Sequence, residues 1–213
     1  MTILPVWCIT EKRFAQVNDF LGLILAYLLG CVSTAYYLVR WRTGEDVRAL
    51  GSGNAGATNA GRVLGKWGFA VALIGDVTKG ALAIGIVRWL GGSEWALAWA
   101  IPTVVMGHIW PIQLGFRGGE GFASAFGALL VYHPLLVGVV SGVALILYLT
   151  TRKRSVAGAM ALLITPLLAW LLGGGTAEMS AMLALVVLML WAFRRHLRTL
   201  FQRHPSVGKS HHG

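Results

Sequence analysis

Between two long apolar stretches the chain carries Gly51-Ser52-Gly53-Asn54-Ala55-Gly56-Ala57-Thr58-Asn59, followed by Arg62 and Lys66. Glycine accepts positive φ, so such a run can turn several backbone N–H groups toward one ligand. The hydroxyls and amides between the glycines add donors, and Arg62 supplies a planar fork matched to phosphate oxygens. Ser52, Gly53, Asn54, Gly56, Thr58, Asn59 and Arg62 therefore read as an anion cradle. The competing reading is a tight interfacial turn whose polar side chains only cap backbone groups. It is not a nucleotide-binding P-loop, because no Gly-Lys-Ser/Thr ending follows.

A second polar cluster starts at Gly107-His108-Ile109-Trp110-Pro111 and continues through Arg117, Gly118, Gly119, Glu120 and Gly121. Its glycines permit close backbone approach and are expected to present N–H groups at the start of the next helix, an arrangement suited to phosphate. Arg117 favours an anion; Glu120 opposes one unless paired or protonated. His108 reads as a base, a hydrogen-bonded helix residue or an interfacial anchor. Asp76 and Lys79 stand three apart inside an apolar run, on one face of one helix. A lone charge at the bilayer centre costs roughly 2.5 to 3.5 kcal/mol, so the two are expected to pair, either as support for the first loop or in contact with substrate. Arg152, Lys153 and Arg154 precede Ser155, which caps a helix or binds substrate. Arg194, Arg195, His196 and Arg198 form a basic cap farther on. There is no pair of cytoplasmic carboxylates spaced as an acid/base pair, no HExxH motif and no Gly-x-Ser-x-Gly elbow.

The elements that position these groups belong in lipid. With 56% hydrophobic and 12% charged residues, the composition excludes an ordinary soluble domain. Apolar stretches at about 19–41, 67–90, 95–114, 121–133, 134–150, 155–172 and 177–193 give an all-α polytopic membrane helix bundle with about seven transmembrane helices. About 20 apolar residues cross a ~30 Å core, so the fourth stretch is short and has to pack against its neighbours or tilt. Arg40, Arg42, Arg48, Arg62, Lys66, Arg117 and the later basic clusters fall on one set of loops, and only Lys12, Arg13 and Arg88 on the other. The positive-inside rule then places the N-terminus outside and the C-terminus, with both glycine loops, on the cytoplasmic side. The net charge of +10 follows from this bias and from attraction to anionic lipid headgroups. No basic, aromatic-interleaved surface suggests nucleic acid. Cys8 and Cys31 make no disulfide framework, and no metal site is indicated, His211 and His212 included. Residues 1–18 read as a flank, with Asp19 opening the first span, and 201–213 as a polar tail.

Three segments in order resemble the PlsY family of bacterial membrane acyltransferases: GSGNAGATNAGR over residues 51–62, Gly75-Asp76-x-x-Lys79-Gly80, and GH-x-x-P-x-x-LGF-x-GG-x-G over 107–121. The likeness covers nearly the whole span pattern and makes 19–200 the acyltransferase domain. It implies transfer of a fatty acyl group from acyl-phosphate to glycerol 3-phosphate at the cytoplasmic face of the inner membrane, in phospholipid biosynthesis. No cofactor, metal, nucleic acid or obligate protein partner is implied. The resemblance carries Ser52 and Arg62 over as catalytic. Gly53, Asn54, Gly56, Thr58, Asn59, Arg117, Gly118, Gly119, Gly121, Ser155 and His196 become substrate-binding, with Asp76, Lys79 and His108 in support. Glu120 stands where the family has lysine. In the terminal motif, Phe193 replaces histidine, His196 asparagine and Thr199 arginine. The alternatives are an organophosphate-binding membrane transporter and a divergent paralogue with another acceptor or no activity.

Overall fold

With so little polar side chain available, backbone N–H and C=O groups have to be satisfied within each segment. Among the described residues the chain does this with helices and turns alone. The computed structural model describes residues 6–152 and 154–201, with side chains over 16–152 and 157–194. The helices are α1 (Val6–Cys31), α2 (Thr34–Thr43), α3 (Ala57–Trp89), α4 (Glu94–Ile109), α5 (Phe122–Tyr132), α6 (Pro134–Thr151), α7 (Arg154–Leu171) and α8 (Thr176–Phe201). Short 3-10 turns occupy Val47–Ala49 and Ile112–Leu114.

Among the described residues five segments are long and apolar enough to cross a membrane: Gln16–Thr43, Ala57–Trp89, Glu94–Leu114, Pro134–Thr151 and Thr176–Arg194. Phe122–Tyr132 and Ala157–Leu171 are apolar but shorter. The 11 residues of α5 rise about 16 Å at 1.5 Å per residue, half of a ~30 Å core. What holds this short helix is contact with α3 at two glycines. A Cβ on Gly80 would strike the Ser124 carbonyl, and one on Gly127 the Val77 carbonyl, so the two backbones touch. Gly30 and Gly107 bring α1 and α4 together in the same reciprocal way.

Three boundaries depart from the sequence reading. The first helix begins at Val6, well ahead of Asp19, while the apolar span within it begins at Gln16. Asp19 lies inside α1, and its carboxylate accepts from the Ser93 N–H (2.7 Å) and hydroxyl (2.6 Å) at the start of α4. The expected 19–41 span is broken between α1 and α2, where Ser33 is extended (φ −88, ψ 94). The helix α3 is interrupted at Gly65 (φ 77, ψ −167), a conformation open essentially to glycine alone. Segments 57–64 and 66–89 are thus two helices meeting at a kink. The tail beyond Phe201 lies outside the described residues.

Ile84, Ile101, Val105, Met182 and Leu185 form the main core where α3, α4 and α8 meet. A smaller cluster of Val39, Val47, Ala55, Ala60 and Ala72 supports the first glycine loop. By contrast α6 buries only Leu136 and Val137 and packs mainly on α7. That leaves space between the α6–α7 hairpin and the rest of the bundle.

Candidate active site

The first glycine loop is shaped by Asn59. Its Nδ2 donates to the carbonyls of Val47 and Leu50 (both 2.9 Å), and its Oδ1 accepts from the Ser52 N–H (2.8 Å). Gly51 has φ 57, and a Cβ there would collide with that same Oδ1. Asn59 is buried and both its donors are used by the loop, so it braces the loop and has none left for a ligand.

Beneath the loop, the break between α1 and α2 leaves helix-end carbonyls without helical partners. Side chains from elsewhere fill that need. Gln113 Nε2 donates to the Cys31 carbonyl (2.5 Å), and Lys79 Nζ donates to the Val32 carbonyl (2.7 Å). Lys79 also reaches Asp76 Oδ1 (2.9 Å) and His108 Nδ1 (2.7 Å), which uses all three ammonium donors. An ammonium only donates, so Nδ1 accepts and the His108 proton sits on Nε2. Thr34 adds a longer bond to Asp76 Oδ1 (3.4 Å), and the Ser124 hydroxyl lies 3.4 Å from His108 Nδ1. Among the described residues no buried side-chain nitrogen or oxygen lacks a partner.

The second glycine loop folds back on α4 instead of opening toward a ligand. The Gly118 N–H donates to the Ile109 carbonyl (3.0 Å) and the Gly119 N–H to the His108 carbonyl (3.1 Å). This corrects the expectation that these two amides face phosphate. A Cβ on Gly118 would strike the His108 carbonyl, and one on Gly119 would strike His108 Nε2. It is this close packing that requires glycine here. Gly121 (φ 87) then caps α5. The two loops meet where a Gly119 Cβ would stand 3.2 Å from the Ala55 carbonyl, which also accepts from the Ser33 hydroxyl (3.3 Å).

A cavity of about 590 Å³ opens beside this junction. Asn54, Gly56, Thr58, Asp76, His108 and Gly121 line its polar part, together with Glu120. The remainder is apolar apart from Ser141 and Thr165, with Phe69, Leu73, Leu129, Val140, Leu185 and Met189 among its walls. A polar end on a largely apolar slot suits an amphiphile. Among the described residues no three His, Cys, Asp or Glu side chains are grouped as metal ligands would be.

The family model for glycerol-3-phosphate acyltransferase matches residues 20–203. The chain belongs to this family. A glycerol-3-phosphate acyltransferase 1 of Desulfitobacterium hafniense (strain Y51) is 42% identical over 193 residues, 90% of this chain and 95% of that protein. A glycerol-3-phosphate acyltransferase of Pseudomonas aeruginosa (strain LESB58) is 43% identical over 179 residues, 84% of this chain and 93% of the relative. Among solved structures, PlsY (YgiH), an integral membrane glycerol 3-phosphate acyltransferase, superposes in its glycerol 3-phosphate form with a TM-score of 0.77 and 30% identity, covering 89% of this chain and 96% of that one. Its lysophosphatidic acid form gives 0.74 and 28%, covering 86% and 92%. The PlsY resemblance is thereby confirmed, and the protein is an acyltransferase of the bacterial membrane.

In this acyltransferase the residues singled out by sequence divide into groups. Asn54, Gly56, Thr58 and Gly121 line the cavity, as do Asp76 and His108 of the support group. Ser52, Gly53 and Arg62 are exposed on the first loop and the helix after it, and Arg117 is exposed on the second. Ser155 and His196 belong to α7 and α8, and their side chains lie outside the described residues. Three contributing residues were missed. Ser33 and Thr34 sit in what reads as one uninterrupted apolar run, and only their paired hydroxyls hint at a break. Arg48 was counted merely as a topology cation, although Asp46-x-Arg48 directly before the glycine loop was a usable signal. Asp46 caps the Val47–Ala49 turn through the Arg48 N–H (2.9 Å), and Arg48 reaches the second loop.

Proposed function

We propose that this acyltransferase moves a fatty acyl group from acyl-phosphate to glycerol 3-phosphate, releasing 1-acyl-glycerol 3-phosphate and inorganic phosphate. The reaction is assigned to the cytoplasmic face of the bacterial inner membrane, in phospholipid biosynthesis. The observation that carries this reading is the cavity, whose polar end beside the junction of the two glycine loops continues into a largely apolar slot suited to an acyl chain. A PlsY relative in glycerol 3-phosphate and lysophosphatidic acid forms supplies the matching acceptor and product.

The acceptor hydroxyl attacks the acyl carbonyl, a carbon–oxygen ester bond forms, and the bond from the acyl carbon to the phosphate oxygen breaks. The hydroxyl proton ends on the released phosphate. A mixed anhydride is already activated, so positioning and charge neutralisation suffice for rate. Ser52 and Arg62 are assigned to the reacting phosphate. Gly53, Asn54, Gly56, Thr58, Arg117 and Gly121 are assigned to substrate contact, with Ser155 and His196 completing the set. Gly118, Gly119 and Asn59 act one step back, by shaping the two loops. Lys79, Asp76 and His108 hold the floor beneath them.

The test is purified protein supplied with palmitoyl-phosphate or with thioester donors, and with several polyol phosphates. Lipid product with glycerol 3-phosphate that requires the acyl-phosphate supports the reading, and product from a thioester alone sinks the assigned donor. Arg62→Ala is expected to lose at least a hundredfold in turnover while remaining in the membrane fraction. Wild-type turnover in the purified variant would remove Arg62 from the site.

A further inference from the structure

Gly115 and Phe116 are consecutive left-handed residues (φ 62 and 59). That conformation is ordinary for glycine and unfavourable for phenylalanine, whose Cβ crowds the backbone there. The Phe116 side chain is 55% exposed, so burial does not hold it in place. Backbone bonds from the Gly115 N–H to the Ile112 carbonyl (3.1 Å) and from the Phe116 N–H to the Pro111 carbonyl (3.0 Å) close the turn, and one side chain grips it from both sides. Arg48 Nη1 donates to the Leu114 carbonyl (2.6 Å) and to the Arg117 carbonyl (3.3 Å), the residues that flank the pair. The guanidinium is itself fixed. Asp46 accepts from its Nε (3.0 Å) and Nη2 (2.6 Å), and its carbon lies 5.4 Å from the centre of the Tyr36 ring. Arg48 also belongs to the Val47–Ala49 turn, whose Val47 carbonyl Asn59 holds. One guanidinium therefore connects the stem of the first glycine loop to the root of the second.

We propose that Arg48 is a positioning residue for acyl transfer: it holds the Gly115–Phe116 turn left-handed and so fixes Arg117 and the second glycine loop against the first. This rests on the reading of the two loops as walls of one acyltransferase site. Lysine keeps the charge but lacks the planar fork that serves a carboxylate and two carbonyls at once. Glycine at position 116 adopts the same turn without a brace.

The experiment compares Arg48→Lys, Phe116→Gly and the double variant of the full chain, purified in detergent. KM and kcat for glycerol 3-phosphate are measured with palmitoyl-phosphate as donor, alongside hydrogen exchange at the Gly118 and Gly119 amides. Arg48→Lys is expected to raise KM tenfold or more, with a smaller change in kcat, and to speed exchange at both amides tenfold. In the double variant KM and exchange return to within threefold of Phe116→Gly alone. Asp46→Asn gives the same signature at smaller size. Wild-type protein that makes no lipid sinks the acyltransferase reading; faster exchange in Arg48→Lys, restored in the double variant, would still uphold Arg48 as the brace. KM and exchange both unchanged in Arg48→Lys, or changed equally in the single and double variants, overturns the proposal.

Discussion

The Lys79 ammonium serves three acceptors in a place where a lone charge is costly, and its removal strands Asp76 inside the bundle. Breaking a buried pair from one side typically costs about 3 to 5 kcal/mol, so Lys79→Met is expected to lower thermal stability in detergent by that order. Asp76→Leu with Lys79→Met regains part of the loss, and a double variant as unstable as the single would refute the pairing account. Asp46 behaves differently, because it lies in a loop at the surface. Its side-chain bond to Arg48 holds its carboxyl below the usual carboxylate range, with the backbone bond and the arginine charge adding to the effect. A depressed folded value means that the stability it contributes is present above the ordinary carboxylate value and is lost as the pH falls through the lowered one. The melting-temperature gap between wild type and Asp46→Asn is therefore expected to be constant near neutrality and to close below about pH 4. An unchanged gap at pH 3 would contradict this. At this scale the sequence was partly legible. The three-residue spacing announced the Asp76–Lys79 pair, whereas His108 lies 29 positions from Lys79 and no local period reports such a contact. The glycines were legible as places where a side chain is excluded. Sequence does not say what excludes it, and at Gly118 and Gly119 it is His108 of the chain itself.

Element by element, the long helices follow from hydropathy, and the short α5 follows from its length once packing is required of it. The break at Val32–Ser33 was hidden because Gly30 nearby stays helical and no proline follows; at the break Gln113 and Lys79 take the Cys31 and Val32 carbonyls. The contact of α3 with α5 yields a sharp contrast between glycines. Gly127→Val drives a side chain into the Val77 backbone, and the protein is expected not to accumulate as a monodisperse species on size exclusion. A Cβ on Gly142 in α6 meets nothing within 4 Å, and Gly142→Val is expected to purify as wild type. Equal yields and elution of the two variants would show that α5 can shift to make room.

For the whole molecule, the charge bias predicts an orientation that direct labelling can test. In a background without Cys8 and Cys31, cysteine at Gly53 is expected to react with an impermeant maleimide only from the cytoplasmic side, and cysteine at Gly175 only from the opposite side. The reverse pattern would invert the topology. The cavity was not legible in advance, since it arises from where the α6–α7 hairpin packs and not from any local pattern. The kink at Gly65 bears on kinetics. A straight 33-residue helix would measure about 50 Å, well beyond a ~30 Å hydrocarbon core, whereas the part after the kink measures about 36 Å. With the part after the kink spanning the core, the preceding turns, with Thr58 and Arg62, are expected at headgroup depth, where the proposed bilayer-dissolved donor would meet the proposed water-soluble acceptor. On the proposed reaction, turnover then follows the surface density of acyl-phosphate in one leaflet. Dilution with inert phospholipid slows the enzyme even when every bulk concentration is held constant.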